Sequence, residues 1–277
     1  MNRGRFPQAG LASAVLTLYD KEKLTIQDAR GVIRVDAVLL QRLAQITEEE
    51  RELLQGRGVD RALYASGRAF EVDAAKMLEK GKLMSIRPHT RFAPFPRHSH
   101  NYVEIMYMCR GKTVHRIDGD ALVTLEAGEL LFLNRHASHA IQRADAGDIA
   151  VNFIVLPQFF DEAFNMAGMD NVLSRFLLGE LYTGGAAVSY LHFRVREVLP
   201  VQNLVENMVW TLVNRQPGAR RINQVTMGLL LLQLMHYTEC IDMSRNGSIR
   251  SPMVEAALRE IEENYRAASL TDVAAAF

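Results

Sequence analysis

The sequence predicts a mainly β fold with helices on either side of it along the chain. Three observations carry this. Seven short runs rich in Val, Ile, Tyr and Phe follow one another between Leu83 and Leu156 at roughly 8–12-residue spacing, the mark of a β-sandwich or small barrel. Helical periodicity of apolar residues precedes them and returns after Pro157. A polar stretch punctuated by Gly and Pro, Ser244 to Pro252, then separates the whole from a last helical segment.

Residues 1–82 read as mixed and mainly helical. Asp36 can cap a helix whose apolar face is Val38, Leu39, Leu43 and Ile46. Thr47 and Glu50 have the spacing of a capping box ahead of Leu53 and Leu54, and Gly56 stops that helix. Lys76 to Lys80 reads as one more short helix, ended by Gly81. From Leu83 the period changes to strands: Leu83–Arg87, Tyr102–Cys109, Thr113–Asp118, Ala121–Leu125, Leu130–Leu133, His139–Arg143 and Asp148–Leu156. Asp118-Gly119 is a strong hairpin signal because Gly tolerates the positive φ of a type I′ turn.

After Pro157 the pattern is helical again. Pro200 suits a first helical turn and opens the stripe Val201, Leu204, Val205, Met208, Val209, Leu212 and Val213. The next helix, Ile222 to Ile241, is apolar nearly all round. Ile222, Val225, Leu229, Leu232 and His236 share one face; Leu230, Leu231 and Leu234 lie on others. Such a helix is buried in a large core or against another chain, so a homodimer through the helices flanking Gly218 is expected. Beyond the linker, Val254, Leu258, Ile261 and Tyr265 have helical spacing, and Ser269 and Asp272 can cap a further helix. The expected organisation is 1–82 helical, 83–195 β, 196–243 dimerisation helices, 244–252 linker and 253–277 the start of another domain.

Composition narrows the function class. The 277 residues suffice for about two domains. Hydrophobic residues at 48% and charged residues at 23% exclude a disordered chain. Lys+Arg and Asp+Glu balance at 32 each, so no basic footprint advertises nucleic acid. Two cysteines, Cys109 and Cys240, cannot build a disulfide scaffold and read as free thiols. No apolar run reaches the ~20 residues that span a bilayer. A soluble cytoplasmic protein is expected. No nucleophile elbow, phosphate loop or Cys-x-x-Cys motif points to an enzyme.

The chemistry-bearing residues are His98, His100, Glu104 and His139. On a strand, positions i and i+2 face the same way, so His98 and His100 can converge on one interior point, with Glu104 in the same parity. His139 can reach that point from a later strand. Three imidazoles and a carboxylate suit a divalent metal such as Zn, Fe, Mn or Ni. They equally suit a metal-free pocket that hydrogen-bonds a polar ligand, or a hydrogen-bonded structural cluster. Other residues carry duller readings: Trp210 as core or interface packing, His236 as a bonded core residue, His115 and His192 as structural. Glu48-Glu49-Glu50-Arg51 reads as a solvated first helical turn.

His98-Ser-His100, three residues, Glu104, six residues and Gly111 resemble the first signature motif of the cupin barrels; Gly128 through His139 is similar to the second. That second motif has Asn134-Arg135-His136 where Pro-x-Gly is customary. Ile261-Glu-Glu-Asn-Tyr265 and Ser269-Leu-Thr-Asp-Val273 resemble the opening of the DNA-binding domain of AraC-type (arabinose-regulator-like) transcription regulators. Arg87-Pro-His89-Thr-Arg91 and Asp148-Ile-Ala-Val-Asn152-Phe are similar to segments of their sensor barrels. The resemblance implies a cupin-like barrel (double-stranded β-helix), dimerisation helices and the truncated start of a helix-turn-helix domain. It implies a ligand-responsive regulator whose small polar effector, by family analogy a sugar, binds at His98, His100, Glu104 and His139. No cofactor is required, although a divalent metal could occupy the same four residues. DNA would be bound by the full-length protein only, and no membrane is involved. The alternative is a metal-dependent cupin enzyme, an isomerase or dioxygenase, using those four residues.

Overall fold

The computed structural model describes residues 35–168, 171–183, 186–237 and 241–243. The expectations for the linker, for the helices of 253–277 and for Cys240 lie outside the described residues.

Local signals place the first helices. Asp36 accepts from Leu39 N (2.9 Å) and caps α1, Ala37–Leu43. Thr47 and Glu50 close the capping box on α2, Glu48–Leu54. Leu39, Leu43 and Leu53 are buried, whereas Val38 and Ile46 are exposed and do not join the expected apolar face. The third short helix, α3, is Ala74–Met77 rather than 76–80: Asp73 accepts from Ala75 N and starts it early, and the chain is already extended at Leu78. Just before it, β1 (Glu71–Val72) lies parallel to the strand of the histidines.

The seven expected strands form within about two residues of their predicted bounds: β2 Met84–Pro88, β4 Val103–Arg110, β5 Lys112–Ile117, β6 Ala121–Glu126, β7 Leu130–Leu133, β8 Ser138–Ile141 and β9 Ile149–Val155. The hairpin after β5 turns at Asp118 (φ 50°) and Gly119 (φ 91°), with three residues between the paired Ile117 and Ala121. The other strands lie outside the seven runs, notably β3, Phe95–His100, and β12, Tyr190–Phe193, which follows a two-residue ribbon of β10 (Tyr182–Thr183) and β11 (Ala186–Ala187). A last strand, β13 (Ile241–Met243), pairs with β12.

The strands make two antiparallel-rich sheets, β1-β3-β8-β5-β6 and β13-β12-β7-β4-β9-β2. This is the cupin-like arrangement, although no ring of strand pairing closes it into a barrel among the described residues. Period-two alternation sorts the second sheet's side chains. Ile105, Tyr107, Phe132, Val151, Phe153 and Phe193 face the helices; Glu104, Met106, Met108, Leu131 and Asn152 have the opposite parity and face the other sheet. With both faces covered, β4 is buried along its length except at Arg110. Gly111 (φ 79°) then turns the chain where a Cβ would lie 2.2 Å from Asp148 Oδ1, so only glycine fits there.

The helical layer follows β9: a 3-10 turn (Pro157–Phe160), α4 (Asp161–Ala167), α5 (Val172–Leu178), α6 (Leu199–Val213) and α7 (Ala219–Met235). Pro200 stands in the first turn of α6, whose Val201, Val205, Met208 and Val209 are buried. The next helix stops at Met235, not Ile241, because His236 caps it and residues 241–243 are needed as a strand. His236 is exposed rather than a core residue. Leu230, Leu231 and Leu234 pack into the chain's own core; Ile222, Val225 and Leu229 face solvent together with half-exposed Trp210 on α6. Trp210 is therefore not a core residue. No described helix is long and apolar enough to cross a membrane.

Candidate functional site

Strand geometry brings the four expected side chains together between the sheets. His98 on β3 pairs in register with His139 on β8, and His100 lies two residues on, over the same face. Glu104 comes from the facing sheet on β4. All four are buried. The Nε2 atoms of His100 and His139 are 3.1 Å apart, and each is 3.4 Å from Glu104 Oε2. His98 Nδ1 donates to Pro96 O (2.9 Å), which leaves its Nε2 as a lone pair. The ligand atoms of His98, His100 and His139 lie within 4.8 Å of one another.

The cluster is larger than the motif. The His115 ring lies parallel to that of His139, with Nδ1 atoms 3.4 Å apart, and His115 Nε2 is 2.9 Å from Thr113 Oγ1. His115, read from the sequence as structural, is carried to the cluster by its strand, β5, which pairs with β8. His192 stays structural, bonded to the buried Glu129 at 2.9 Å. Asn152 donates to Glu104 Oε1 (2.8 Å), and Arg87 stands opposite Asn152 in the β2–β9 register. A small cavity of about 40 Å³ lies alongside, its lining including Arg87, His89, His98, Tyr102, Glu104 and Asn152.

The electrostatics follow from burial. Desolvation pushes His89 and His98 down to about 4 and holds His100, His115 and His139 well below their ordinary value. All five are neutral at pH 7, the form in which imidazole binds a metal or accepts a hydrogen bond. Desolvation also raises Glu104 to about 7, against the single hydrogen bond from Asn152 that lowers it. Four buried polar atoms here have no partner: His89 Nε2, His100 Nδ1, Glu104 Oε2 and Asn152 Oδ1.

A divalent ion fits these donors. With metal–ligand bonds of about 2.0–2.2 Å, the edges of a tetrahedral or octahedral shell run from about 2.8 Å to about 3.6 Å. The His100–His139–Glu104 triangle has that size, and the unpaired Glu104 oxygen is one of its corners. The same atoms can instead receive the hydroxyls of a polar ligand.

The departure from the second cupin motif has a structural reason. Asn134 is buried, donates to Phe176 O (3.1 Å) and Val188 O (2.8 Å), and accepts from His136 N. It ties the turn before β8 to α5 and to the segment entering β12. The run Glu48 to Arg51 is likewise not simply solvated. Glu49 meets Arg87 and Tyr64, and Glu50 is buried against Arg91. Sequence spacing singled out neither contact, since both join residues tens of positions apart.

Residues 85–164 match the AraC-like ligand-binding domain. No curated protein matches the chain in sequence. Among solved structures, apo ToxT from Vibrio cholerae is 11% identical over 71% of this chain and 70% of its own, with a TM-score of 0.44. A cupin protein from Bacteroides fragilis is 28% identical over 26% of this chain and 64% of its own, with a TM-score of 0.23. The AraC-like transcriptional activator CuxR is 12% identical over 61% of this chain and 53% of its own, with a TM-score of 0.30. The stretch that supplies His98, His100, Glu104, His115, His139 and Asn152 is thus the one that matches the AraC-like ligand-binding domain.

Proposed function

We propose that the chain is the effector-binding and dimerisation portion of a ligand-responsive transcription regulator, with His98, His100, Glu104 and His139 at the floor of the effector site. The observation that carries this reading is the coincidence of two things. The cavity with its unpaired polar atoms lies largely inside the residues that match the AraC-like ligand-binding domain. Glu104 Oε2 and Asn152 Oδ1 are acceptors in want of donors, so the effector is a small molecule rich in hydroxyls, a sugar or a relative of one. A cavity of about 40 Å³ is far smaller than a sugar ring, so the pocket widens on binding. Ile222, Val225, Leu229 and Trp210 form the face through which the chain pairs with a second copy. DNA is read by the helix-turn-helix domain whose opening residues 253–277 resemble.

Thermal unfolding against a panel of pentoses, hexoses and polyols tests the reading. At least one compound is expected to raise the melting temperature of the wild-type chain and to lose that effect in Asn152→Leu. A panel without a single stabilising compound, or one whose effect survives Asn152→Leu, overturns it. For the pairing face, Leu229→Asp is expected to shift sedimentation from dimer to monomer.

The donor triangle favours a second reading, a metal-dependent cupin enzyme of the isomerase or dioxygenase class. Bound there, a divalent ion would supply Lewis-acid chemistry, with His98, His100, His139 and Glu104 to hold it. Turnover of a small polar substrate by the metal-loaded chain, abolished in His139→Ala, would decide for that reading.

A further inference from the structure

We propose that Thr113 and His115 are positioning residues that hold His139 with Nε2 bare, so that a divalent cation can be taken between His139, His100 and Glu104. The proposal rests on the cation reading of the cluster given above. Its own ground is a chain of buried hydrogen-bonding groups that leads away from the site: His139 Nδ1 to His115 Nδ1 at 3.4 Å, His115 Nε2 to Thr113 Oγ1 at 2.9 Å, and Thr113 Oγ1 to Met108 Sδ at 3.9 Å. Thr113, His115 and His139 are all buried, so no solvent breaks the chain.

A neutral imidazole carries one N–H and one lone pair, so the chain has two polarities. In one, the Thr113 hydroxyl donates to His115 Nε2, His115 Nδ1 donates to His139, and the His139 Nε2–H points at His100 and Glu104, where it bars a cation. In the other, every proton points outward. His139 Nδ1 donates to His115 Nδ1, His115 Nε2 donates to Thr113 Oγ1, and the hydroxyl proton turns to the Met108 sulfur. His139 then offers a lone pair to the triangle. No group changes its charge between the two. A cation selects the outward polarity, and Thr113 is the group that makes it available, since its hydroxyl oxygen can accept where a methyl cannot. An outer hydrogen-bond partner of a metal-binding histidine typically contributes 10–100-fold in affinity.

The test titrates the purified chain with Zn²⁺ and with Co²⁺ alone and records the tautomers of ¹⁵N-labelled histidines. Thr113→Val keeps the shape and removes the acceptor; Thr113→Ser restores it; His115→Phe keeps a ring against His139 without the nitrogens. Thr113→Val and His115→Phe are expected to bind the cation about 10–100-fold more weakly, while Thr113→Ser binds like the wild type. In the loaded wild type, His139 is expected to be protonated at Nδ1 and His115 at Nε2. Melting curves identify any variant that fails to fold, and the wild-type tautomers and Thr113→Ser keep the question decidable in that case. Equal affinity in wild type and a folded Thr113→Val, or loaded protein with His115 protonated at Nδ1, overturns the relay while leaving the cation site standing. A wild-type chain that binds neither ion overturns the cation reading and the relay together.

Discussion

Two buried carboxylates in this molecule have opposite surroundings. Glu50, at the start of α2, receives Arg91 Nε (2.7 Å), Arg91 Nη2 (2.8 Å), Arg91 N (3.1 Å) and Thr47 N (3.0 Å). Its bonds to Arg91 and Thr47 outweigh desolvation and hold its carboxyl below the ordinary value. Glu104 has a single hydrogen bond and an oxygen with none, and burial raises it to about 7. The first region is complete without a ligand and fastens the N-terminal helices to the sheet. The second is incomplete, and three of the residues with unpaired atoms, His89, Glu104 and Asn152, line one small cavity. On the proposed function, the contrast separates a charge buried for architecture from one buried for binding.

The largest expected effect that sharpens this contrast is global. Burial lowers His89 and His98 from 6.5 unfolded to about 4 folded, and holds His100, His115 and His139 well below 6.5. For a group depressed in this way, the unfolded state binds more protons between the two values. The stability that the histidines contribute is full above pH 6.5 and is lost as pH falls toward 4. Urea unfolding across that window should show a loss larger than any single substitution below; a flat profile would mean that the five rings are not buried as a group.

Arg91→Ala strikes the complete region. It strands Glu50 in the interior, and breaking a buried pair from one side costs about 3–5 kcal/mol. A loss under about 1 kcal/mol, the value of an exposed pair, would show that Glu50 reaches solvent. Thr47→Ala removes only the cap on the same helix and should cost about 1 kcal/mol, read as a shift in denaturation midpoint at constant slope.

Local chemistry made much of the fold legible. Asp36, the Thr47–Glu50 box and the Pro200 start each act through neighbours within a few residues, and each forms as read; Asp118-Gly119 turns its hairpin with Asp120 as a third loop residue rather than as a two-residue type I′ turn. The β3 strand hid because Pro96, Arg97 and Ser99 break its apolar alternation: it is an irregular strand, with a register shift between Phe95 and His98. The helical pattern runs past the end of α7 because Ile241, apolar and in phase, belongs to a strand that only the pairing with β12 reveals. At the site, the spacing brought out His98, His100, Glu104 and His139. His115, His89 and Asn152 come to the cluster through strand pairing and the meeting of two sheets, and no spacing along the chain encodes that. The one signal available was that Arg87–Arg91 and Asp148–Phe153 resemble sensor segments.

On the proposed function, Glu104 is held in a place where its charge is unwelcome until something binds. Its folded value of about 7 lies above the ordinary 4.5, so the stability it contributes is present below 4.5 and lost as pH rises through 7. Glu104→Gln mimics the protonated form and removes that loss. Measured by urea unfolding of the ligand-free and metal-free chain, Glu104→Gln should match the wild type near pH 4.5 and exceed it at pH 8 by on the order of 3 kcal/mol. A Glu104→Gln chain less stable than the wild type at pH 8 would contradict the claim, because it would mean that the ionised carboxylate already has its partners.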